Sequence, residues 1–455
     1  MENSFEDTIV SIATTVNNSA ISIVRLSGKD AISIVNKIFA GKDLKKVESH
    51  TINYGHIIDS QTKEIIDEVL VSVFLSPKSY TTEDVVEINC HGGIFVTNQV
   101  LKQAILNGAR IAEPGEFTKR AFLNGRIDLT KAEAVMDVIS SDSMNSLRIA
   151  NSGLRGDIKE LIDNLKEKIL NIIATINVNI DYPEYDDVEQ LTNELILPEI
   201  SKIKTEIKDI LEKSKSATYI KKGINTVIVG KPNVGKSSLL NLLINENKAI
   251  VTDIPGTTRD IVEGQVNMSG LVLNLIDTAG IRETSDIIEK IGVEKSISKV
   301  DEADLILFVF DGSREIDEYD KYLLEKLKGK KYLKIINKTD LNLKIDPEII
   351  NNAILISTFD KQSIKKIEDK IVEFLEIENI SQNLNGLITN TRQIGKLNEA
   401  YNNLCEATDT INDNIYIDFV ELPLKKAWKN LQEITGNASD DDLLNELFSK
   451  FCLGK

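Results

Sequence analysis

The chain has 455 residues, which is too long for one hydrophobic core, so two or three domains are expected. Lys and Arg number 54 against 71 Asp and Glu, and the resulting net charge of −17 excludes a general attraction to nucleic acid, so any RNA contact must use a local basic patch. Three cysteines without zinc-like spacing and three histidines exclude a disulfide framework and a histidine-rich metal site.

The first region, residues 1–118, alternates β-like and helix-like segments. The β-like runs are Ala20–Leu26, Glu68–Leu75 and Val85–Asn89, and Ile94–Asn107 has helical spacing. We therefore predict a compact α/β domain. Met1–Asp7 is acidic and unlike a signal peptide, and no apolar run reaches the roughly 18 residues of a membrane span. These features predict a cytoplasmic protein without a membrane partner.

Two helical regions flank a central segment. Residues 119–215 have helical apolar spacing, for instance over Leu161–Ile173, and the same spacing returns within residues 379–455. Because the ends of a domain are often close in space, the two regions predict one helical domain. The segment 216–378 between them would then be a domain inserted into it.

The inserted segment contains a phosphate-binding loop. Gly230–Ser237 fits the pattern G-x-x-x-x-G-K-[ST], follows the apolar run Thr226–Val229 and precedes a helix-like run. Glycines let backbone N–H groups converge on a polyphosphate at a helix N-terminus. Lys236 is expected to reach the β- and γ-phosphates, and Ser237 to ligate Mg²⁺. The predicted nucleotide contacts here are Asn233, Val234, Gly235, Lys236, Ser237 and Ser238.

A second motif indicates which base is bound. Asn337-Lys338-Thr339-Asp340 follows the apolar run Tyr332–Ile336, and ligands bind at the carboxyl ends of strands in open α/β sheets. The Asp340 carboxylate can accept hydrogen bonds from N1–H and the 2-amino group of guanine, which adenine lacks. Asn337, Lys338 and Asp340 therefore predict GTP, and Ser357 and Thr358 are further candidates for backbone contacts with the base.

Two segments between these motifs are predicted to contact the phosphates and Mg²⁺. The carboxylate of Asp277 can hold Mg²⁺ through water, and Gly280 lets its N–H approach the γ-phosphate. Thr258 is predicted to close on Mg²⁺ in the triphosphate state. The predicted nucleotide contacts are Thr252, Asp253, Ile254, Pro255, Gly256, Thr257, Thr258, Asp277, Thr278, Ala279 and Gly280.

The motifs leave the hydrolysis step open. Ile281 stands where Ras-type enzymes carry the glutamine that orients water, so another residue must do so. Glu283, Asp286 and Glu289 are the candidates. The transition-state charge could be met by Arg259 or Arg282 acting as an arginine finger. A monovalent cation held by Asn233 and the loop Thr252–Thr257 is the alternative.

A longer stretch resembles a known family. Glu113–Ala134 resembles the junction signature of the MnmE (TrmE) tRNA-modification GTPases, as do Tyr80–Ile88, His91–Gly93 and the terminal Phe451–Lys455. The resemblance runs from end to end. It implies a multidomain α/β plus α chain, with an N-terminal α/β folate-binding-like and dimerisation domain (1–118), a helical domain in two parts (119–215 and 379–455) and an inserted Ras-like P-loop GTPase domain (216–378).

The resemblance also implies a function. Such GTPases work with a flavoprotein, MnmG, in a heterotetramer that adds a (carboxymethyl)aminomethyl-type group to carbon 5 of the wobble uridine in tRNA. The N-terminal domain would form the homodimer and bind a 5-formyl or 5,10-methylene tetrahydrofolate derivative as one-carbon donor. The residues that match the family's folate ligands are Arg25, Glu87, Arg126 and Lys455.

For hydrolysis, the resemblance implies G domains that dimerise across their nucleotide faces and use K⁺ in place of an arginine finger. Asn233, Thr252, Ile254 and Thr257 match the K⁺ ligands, and Glu289 matches the catalytic, water-positioning glutamate. Two other functions are conceivable. A ribosome-assembly GTPase would usually add a KH module or a second G domain, and the chain has one phosphate loop and no G-x-x-G clamp in a β-rich tail. A folate-responsive scaffold would use GTP for timing alone.

Overall fold

The computed structural model describes residues 7–181, 195–246, 264–268, 271–276, 299–375, 384–413, 418–437, 441–451 and 454. Contacts divide the chain into two compact units, residues 1–136 with 429–455, and residues 137–428. Within the described ranges, no helix is both long enough and apolar enough to cross a membrane.

The first unit is built on a seven-stranded sheet. Its strands are β1 (Ile9–Ile12), β2 (Ile21–Ser27), β3 (Phe39–Gly41), β4 (Thr51–Ile58), β5 (Ile65–Phe74), β6 (Val85–His91) and β7 (Arg110–Ile111). They lie in the order β3-β4-β5-β6-β2-β1-β7, antiparallel except for β1 with β7. One face packs on helices α1 (Ala31–Ile38) and α2 (Ile94–Leu106). The predicted α/β domain is confirmed.

Two further helices of this region follow the sheet, α3 (Glu116–Leu123) and α4 (Leu129–Ile139). Arg120 of α3 is fully buried and donates hydrogen bonds to the carboxylates of Asp7, Glu83 and Glu116. A buried guanidinium needs partners for its charge and its donors, and these carboxylates supply them for both terminal nitrogens of Arg120. Asp7 and Glu83 therefore fix α3 against the segments that precede β1 and β6.

Three helices begin the second unit and lead into a second sheet. They are α5 (Met144–Arg155), α6 (Asp157–Asp181) and α7 (Leu197–Lys222). Apolar side chains of α6 recur at helical spacing, and Ile162, Leu165 and Ile169 are fully buried. The helical prediction for this stretch is confirmed over the described residues.

The second sheet has six strands. They are β8 (Ile224–Gly230), β9 (Gly264–Met268), β10 (Leu271–Leu275), β11 (Leu305–Asp311), β12 (Leu333–Asn337) and β13 (Ala353–Leu355). Their order is β13-β12-β11-β8-β10-β9, parallel except for β9 with β10. The helices of the same segment are α8 (Lys236–Glu246), α9 (Glu318–Lys326), α10 (Pro347–Ile350) and α11 (Gln362–Phe374).

This sheet is buried on both faces, as parallel sheets require. All seven residues of β11 are buried, and the first six, Leu305–Phe310, are apolar. Strand β8 lies between β10 and β11, so the chain order reverses beside it. Ligands bind at the carboxyl ends of strands at such a reversal. The Ras-like fold predicted for the inserted segment is confirmed.

After this sheet the chain returns to helices α12 (Thr391–Asn412), α13 (Asp418–Thr435) and α14 (Asp441–Ser449). Helix α12 packs antiparallel to α7. Nζ of Lys204 donates to Oγ1 of Thr408 at 3.2 Å, and Nζ of Lys222 donates to Oγ1 of Thr391 at 3.3 Å. Helices α7 and α12, which precede and follow the Ras-like segment, therefore pack together within the second unit.

Candidate functional site

The phosphate loop connects β8 to α8. Gly235 has a φ of 99°, and a Cβ there would lie 2.1 Å from Nδ2 of Asn337, so only glycine fits. Asn233 has a φ of 63°, which asparagine tolerates better than most residues. Nζ of the buried Lys236 donates to the carbonyl of Lys231 at 2.6 Å. The ammonium group thus lies inside the loop, while Ser237 and Ser238 are exposed in the first turn of α8.

Asn337 and Lys338 bind to the phosphate loop through its backbone. Nδ2 of Asn337 donates to the carbonyl of Val234 at 3.0 Å, and Nζ of Lys338 donates to the carbonyl of Asn233 at 2.9 Å. Asn337 is buried, and its Oδ1 has no hydrogen-bond partner in the described part of the chain. The structure therefore brings the phosphate loop and the end of β12 together in one site.

A carboxylate on the neighbouring strand holds Lys338 in place. Nζ of Lys338 also donates to Oδ2 of Asp311, at 2.7 Å, at the end of β11. Burial raises the pKa of Asp311, but hydrogen bonds from Lys338 and Ser313 outweigh it, so the pKa lies below its usual value. The carboxylate is charged at neutral pH and fixes the lysine between two strands.

Asp340 is exposed at the mouth of the same site. Its Oδ1 accepts a hydrogen bond from Oγ of Ser357 at 2.7 Å, and the backbone of Ser357 exchanges hydrogen bonds with Oγ of Ser363. Ser357, predicted from the sequence as a contact to the base, here orients the carboxylate that is predicted to select guanine. Oδ2 of Asp340 accepts no hydrogen bond from any described residue, so it faces no protein donor there.

Lys231 is a residue of this site that was not predicted from the sequence. This buried lysine of the loop pairs with Asp317 and, at 3.3 Å, with Asp320. Both carboxylates belong to the N-terminal capping box of α9, in which Asp317 is the N-cap. The hydrogen bond from Lys231 is the main reason that the pKa of Asp317 is lowered to about 2. The available sequence signal is the Asp-x-x-Asp spacing of Asp317 and Asp320 at a helix start. This spacing predicts a capping box, but it does not predict that Lys231 pairs with these carboxylates.

The first unit contains the candidate folate residues. Arg25 on β2 and Glu87 on β6 are directly opposed across the strands. Nη2 and Nε of Arg25 both contact Oε1 of Glu87, at 2.7 and 2.8 Å. Nη1 of Arg25 donates to the carbonyl of Gly454 at 3.3 Å, and its guanidinium lies 5.8 Å from the ring centre of Phe117.

Arg126 lies over another aromatic ring. Its guanidinium is 5.0 Å from the ring centre of Tyr80, and Nη1 donates to the Tyr80 carbonyl at 2.8 Å. The Tyr80 hydroxyl is hydrogen-bonded to Oγ1 of Thr118 at 2.9 Å, and its ring packs against the buried cluster that contains Phe117. Arg25, Glu87 and Arg126 are therefore arranged around one small aromatic cluster.

Several residues predicted from the sequence lie outside the described part of the chain. They are the loop Thr252–Thr258, the turn Asp277–Gly280, Glu289 and Lys455, together with the alternatives Arg259, Arg282, Glu283 and Asp286.

Comparison with known proteins covers both units. Residues 8–126 match the family described as "GTP-binding protein TrmE N-terminus", and residues 129–452 match the family described as "MnmE helical domain". The second match alone spans more than half of the chain.

Relatives from three bacteria are similar over nearly the whole length. A protein named tRNA modification GTPase MnmE from Ligilactobacillus salivarius is 49% identical, over 99% of this chain and 98% of the relative. Proteins of the same name from Streptococcus sanguinis and Acholeplasma laidlawii are 48% and 49% identical, over 99% and 98% of this chain and 99% of each relative. The phosphate loop and the guanine motif lie together in one site, and the relatives match nearly the whole chain. The chain therefore belongs to the MnmE family of tRNA modification GTPases.

Proposed function

We infer that this GTPase is the GTP-hydrolysing component of a complex that adds a (carboxymethyl)aminomethyl-type group to carbon 5 of the wobble uridine in tRNA. The observation that carries this inference is the binding of Asn337 and Lys338 to the backbone of the phosphate loop. It supports a single nucleotide site that would consist of the phosphate loop and the strand end predicted to select guanine. The name that the relatives share, tRNA modification GTPase, supports tRNA as the substrate.

On GTP binding, Lys236 would exchange the Lys231 carbonyl for oxygens of the β- and γ-phosphates. The exchange needs little movement because the ammonium already lies inside the loop. Asp340 would accept from N1–H and the 2-amino group of guanine, with Ser357 holding the carboxylate in position. Hydrogen bonds to a charged group contribute about 1.5–3 kcal/mol each, which is enough to discriminate against adenine.

The described residues fit the two cations of the proposal. The hydroxyl of Ser237 and the side-chain amide of Asn233 are exposed, and neither is hydrogen-bonded within the described ranges. A hydroxyl oxygen suits Mg²⁺, and an amide oxygen suits a monovalent cation. Ser237 with Thr258 would hold Mg²⁺, and Asn233 with Thr252, Ile254 and Thr257 would hold K⁺. The cations would neutralise phosphate charge, while Glu289 would orient the attacking water.

A tetrahydrofolate derivative, 5-formyl or 5,10-methylene, would bind beside the aromatic cluster of the first unit. Arg25 directs two nitrogens to Oε1 of Glu87, so Oε2 accepts no hydrogen bond from a described residue. A pterin presents adjacent N–H and amino donors, which such a carboxylate can accept. Arg126 and Lys455 would match the negative charge of the folate's glutamate. The folate would supply the one-carbon unit.

The remaining parts of the proposal concern assembly. The N-terminal domain would form the homodimer, the flavoprotein MnmG would complete a heterotetramer in the cytoplasm, and paired G domains would be needed for fast hydrolysis. We retain the domain boundaries 1–118, 119–215, 216–378 and 379–455 as part of this proposal. The full-length similarity to the relatives supports this reading.

The mass of the wobble uridine tests the function. Nucleosides from tRNA of cells with and without this chain would be compared by mass spectrometry. We expect the C5 group to be missing from cells that lack the chain. Unchanged uridines would refute the function, and a ribosome-assembly defect in the same cells would then favour the rival role.

A further inference from the structure

Helix α7 carries a row of four lysines along one edge, Lys204, Lys208, Lys215 and Lys222. Their spacings of four and seven residues keep them within about 40° of one another around the helix axis. At 1.5 Å per residue the row is about 27 Å long. Lys208, Lys215 and Lys222 are exposed and Lys204 is partly exposed. We call these four residues the lysine row.

The lysine row differs from the other lysines of the same helix in its partners. Lys202, Lys213 and Lys221 each pair with a carboxylate, at 2.6, 2.6 and 2.7 Å. Lys204 and Lys222 donate to threonine hydroxyls instead. Over the described residues, none of the four has a carboxylate oxygen within 4.0 Å. The row is therefore a line of positive charge without an ion-pair partner among the described residues, in a chain of net charge −17.

The neighbouring edge of α12 is uncharged. Thr391 and Thr408 touch the two ends of the lysine row. The residues that continue this edge at alternating spacings of three and four are Ile394, Asn398, Tyr401 and Cys405. An edge of this composition offers hydroxyl and amide donors and adds no negative charge beside the lysines.

Two acidic side chains approach the row without neutralising it. Glu212 lies on α7 four residues after Lys208 and three before Lys215, and it is exposed. Asp304 lies near Lys222; burial raises the pKa of its carboxyl, and the charge of Lys222 opposes that effect. Neither comes within ion-pair distance of the row.

Lys204 and Lys208 are four residues apart on one face of the helix, so their like charges repel one another and lower stability. The cost is offset when a partner brings a matching line of negative charge. RNA phosphates form such a line, and most protein contacts to nucleic-acid backbones come from Lys, Arg, Ser, Thr, Asn and Tyr. An acidic protein would more commonly dock around a buried apolar centre, and this edge offers only the half-buried Ile394 and Tyr401.

We propose that the lysine row, with the uncharged edge of α12, binds the phosphate backbone of the tRNA. This rests on the proposed function, in which tRNA is the substrate, and it adds the surface that holds it. The contacts are electrostatic and independent of sequence, so they position the tRNA without selecting it.

The test measures binding of the full-length chain to a fluorescent, unmodified tRNA transcript with uridine at the wobble position, by anisotropy over a range of KCl concentrations. One variant changes all four lysines of the row to glutamine. The matched control, Lys202→Gln with Lys213→Gln, removes two lysines of the same helix that are paired with carboxylates. A third variant, Glu212→Gln, removes the acidic side chain nearest the middle of the row.

Each phosphate contact contributes about 0.7–0.9 to the slope of log K against log salt, so loss of the row should lower the slope by about three. The control pair should retain most of the wild-type slope, and Glu212→Gln should bind more tightly. All variants should hydrolyse GTP at the wild-type rate without RNA. Equal slopes for the wild type and the four-lysine variant, or no binding of tRNA by the wild type, would overturn the proposal.

A variant that binds tRNA normally but loses co-purification with the flavoprotein would also overturn it, in favour of a protein-binding row. The salt dependence of tRNA binding and the uridine modification together distinguish an error in the proposed role of the lysine row from an error in the proposed function. If the slopes are equal while deletion of the chain still abolishes the uridine modification, only the row is wrong. If the slope falls by about three but deletion leaves the uridine unchanged, the function is wrong.

Discussion

Nδ2 of Asn337 donates to the backbone carbonyl of Val234 at 3.0 Å, between residues 103 positions apart in the sequence. Val234 belongs to the phosphate loop, and Asn337 ends the strand that leads to the predicted guanine contact. The bond therefore ties the phosphate end of the nucleotide site to its base end. Gly235 makes this approach possible, because any side chain there would collide with the amide.

Replacing Asn337 by aspartate tests this connection. The new side chain keeps the shape but loses the donor, and its charge faces the Val234 carbonyl in a buried position. An unmade buried hydrogen bond costs about 1–3 kcal/mol, so GDP should bind roughly 10- to 100-fold more weakly. Titration of a fluorescent GDP analogue measures this, with the exposed Asn342→Asp as control. Wild-type affinity of Asn337→Asp would contradict the connection.

Replacing Asn233 by glycine tests the proposed K⁺ ligand. Glycine keeps the backbone at a φ of 63° and removes only the amide. Wild-type GTP turnover should be faster in K⁺ than in Na⁺ at equal ionic strength, and the variant should lose this difference. Asn352→Gly is the matched control, since Asn352 also has a positive φ, 59°. Equal wild-type turnover in both salts would count decisively against the cation.

Replacing Glu87 by glutamine tests the folate site. The change removes the charge that pairs with Arg25 and replaces an acceptor oxygen by a donor group. A hydrogen bond to a charged group contributes about 1.5–3 kcal/mol, so 5-formyltetrahydrofolate should bind roughly 10- to 100-fold more weakly by calorimetry. The exposed Glu64→Gln serves as control. Unaltered folate binding by Glu87→Gln would place the ligand elsewhere.

The pair of His91 and Asp67 predicts a pH dependence. Nδ1 of His91 lies 2.7 Å from Oδ1 of Asp67, and the His91 backbone N–H donates to Oδ2. The hydrogen bond to Asp67 raises the pKa of His91 above its usual 6.5. The stability from this pair is thus fully present below about pH 6.5 and is lost as the pH rises through the folded-state pKa.

Asp67→Asn should therefore lower the free energy of unfolding more at about pH 5.5 than at about pH 8.5. In the NMR titration of the variant, the His91 pKa should fall toward 6.5, with His50 and His56 as internal references. An unchanged His91 titration would show that Asp67 does not hold the charged imidazole.

Local patterns predicted the strands and helices around the nucleotide because each motif here includes its own flanking elements. Gly230–Ser237 lies between an apolar run that forms β8 and a helix-like run that forms α8, and Asn337–Asp340 follows the apolar run that forms β12. The contacts between distant segments were not predictable. Lys231 pairs with Asp317 and Asp320, 86 and 89 positions away, and Oγ of Ser357 donates to Oδ1 of Asp340. Such pairings depend on the sheet order, which no local pattern encodes.

For a similar reason, the candidate folate residues could be predicted only from the family resemblance. Arg25 and Glu87 are 62 positions apart, and only the pairing of β2 with β6 opposes them. Nothing in the spacing of either residue distinguishes it from an ordinary surface charge. The roles of Glu289 and of Thr252–Thr258 remain predictions, because these residues lie outside the described part of the chain.

The most direct test of the central claim links the nucleotide site to the tRNA. Cells that lack this chain would be supplied with either the wild type or Lys236→Met, which keeps the aliphatic stem but removes the ammonium expected to bind the phosphates. The mass of the wobble uridine would then be measured in each. We predict that the wild type restores the C5 group and that Lys236→Met, present at the same level, does not. Full restoration by Lys236→Met would contradict the claim that GTP binding at this loop drives the modification.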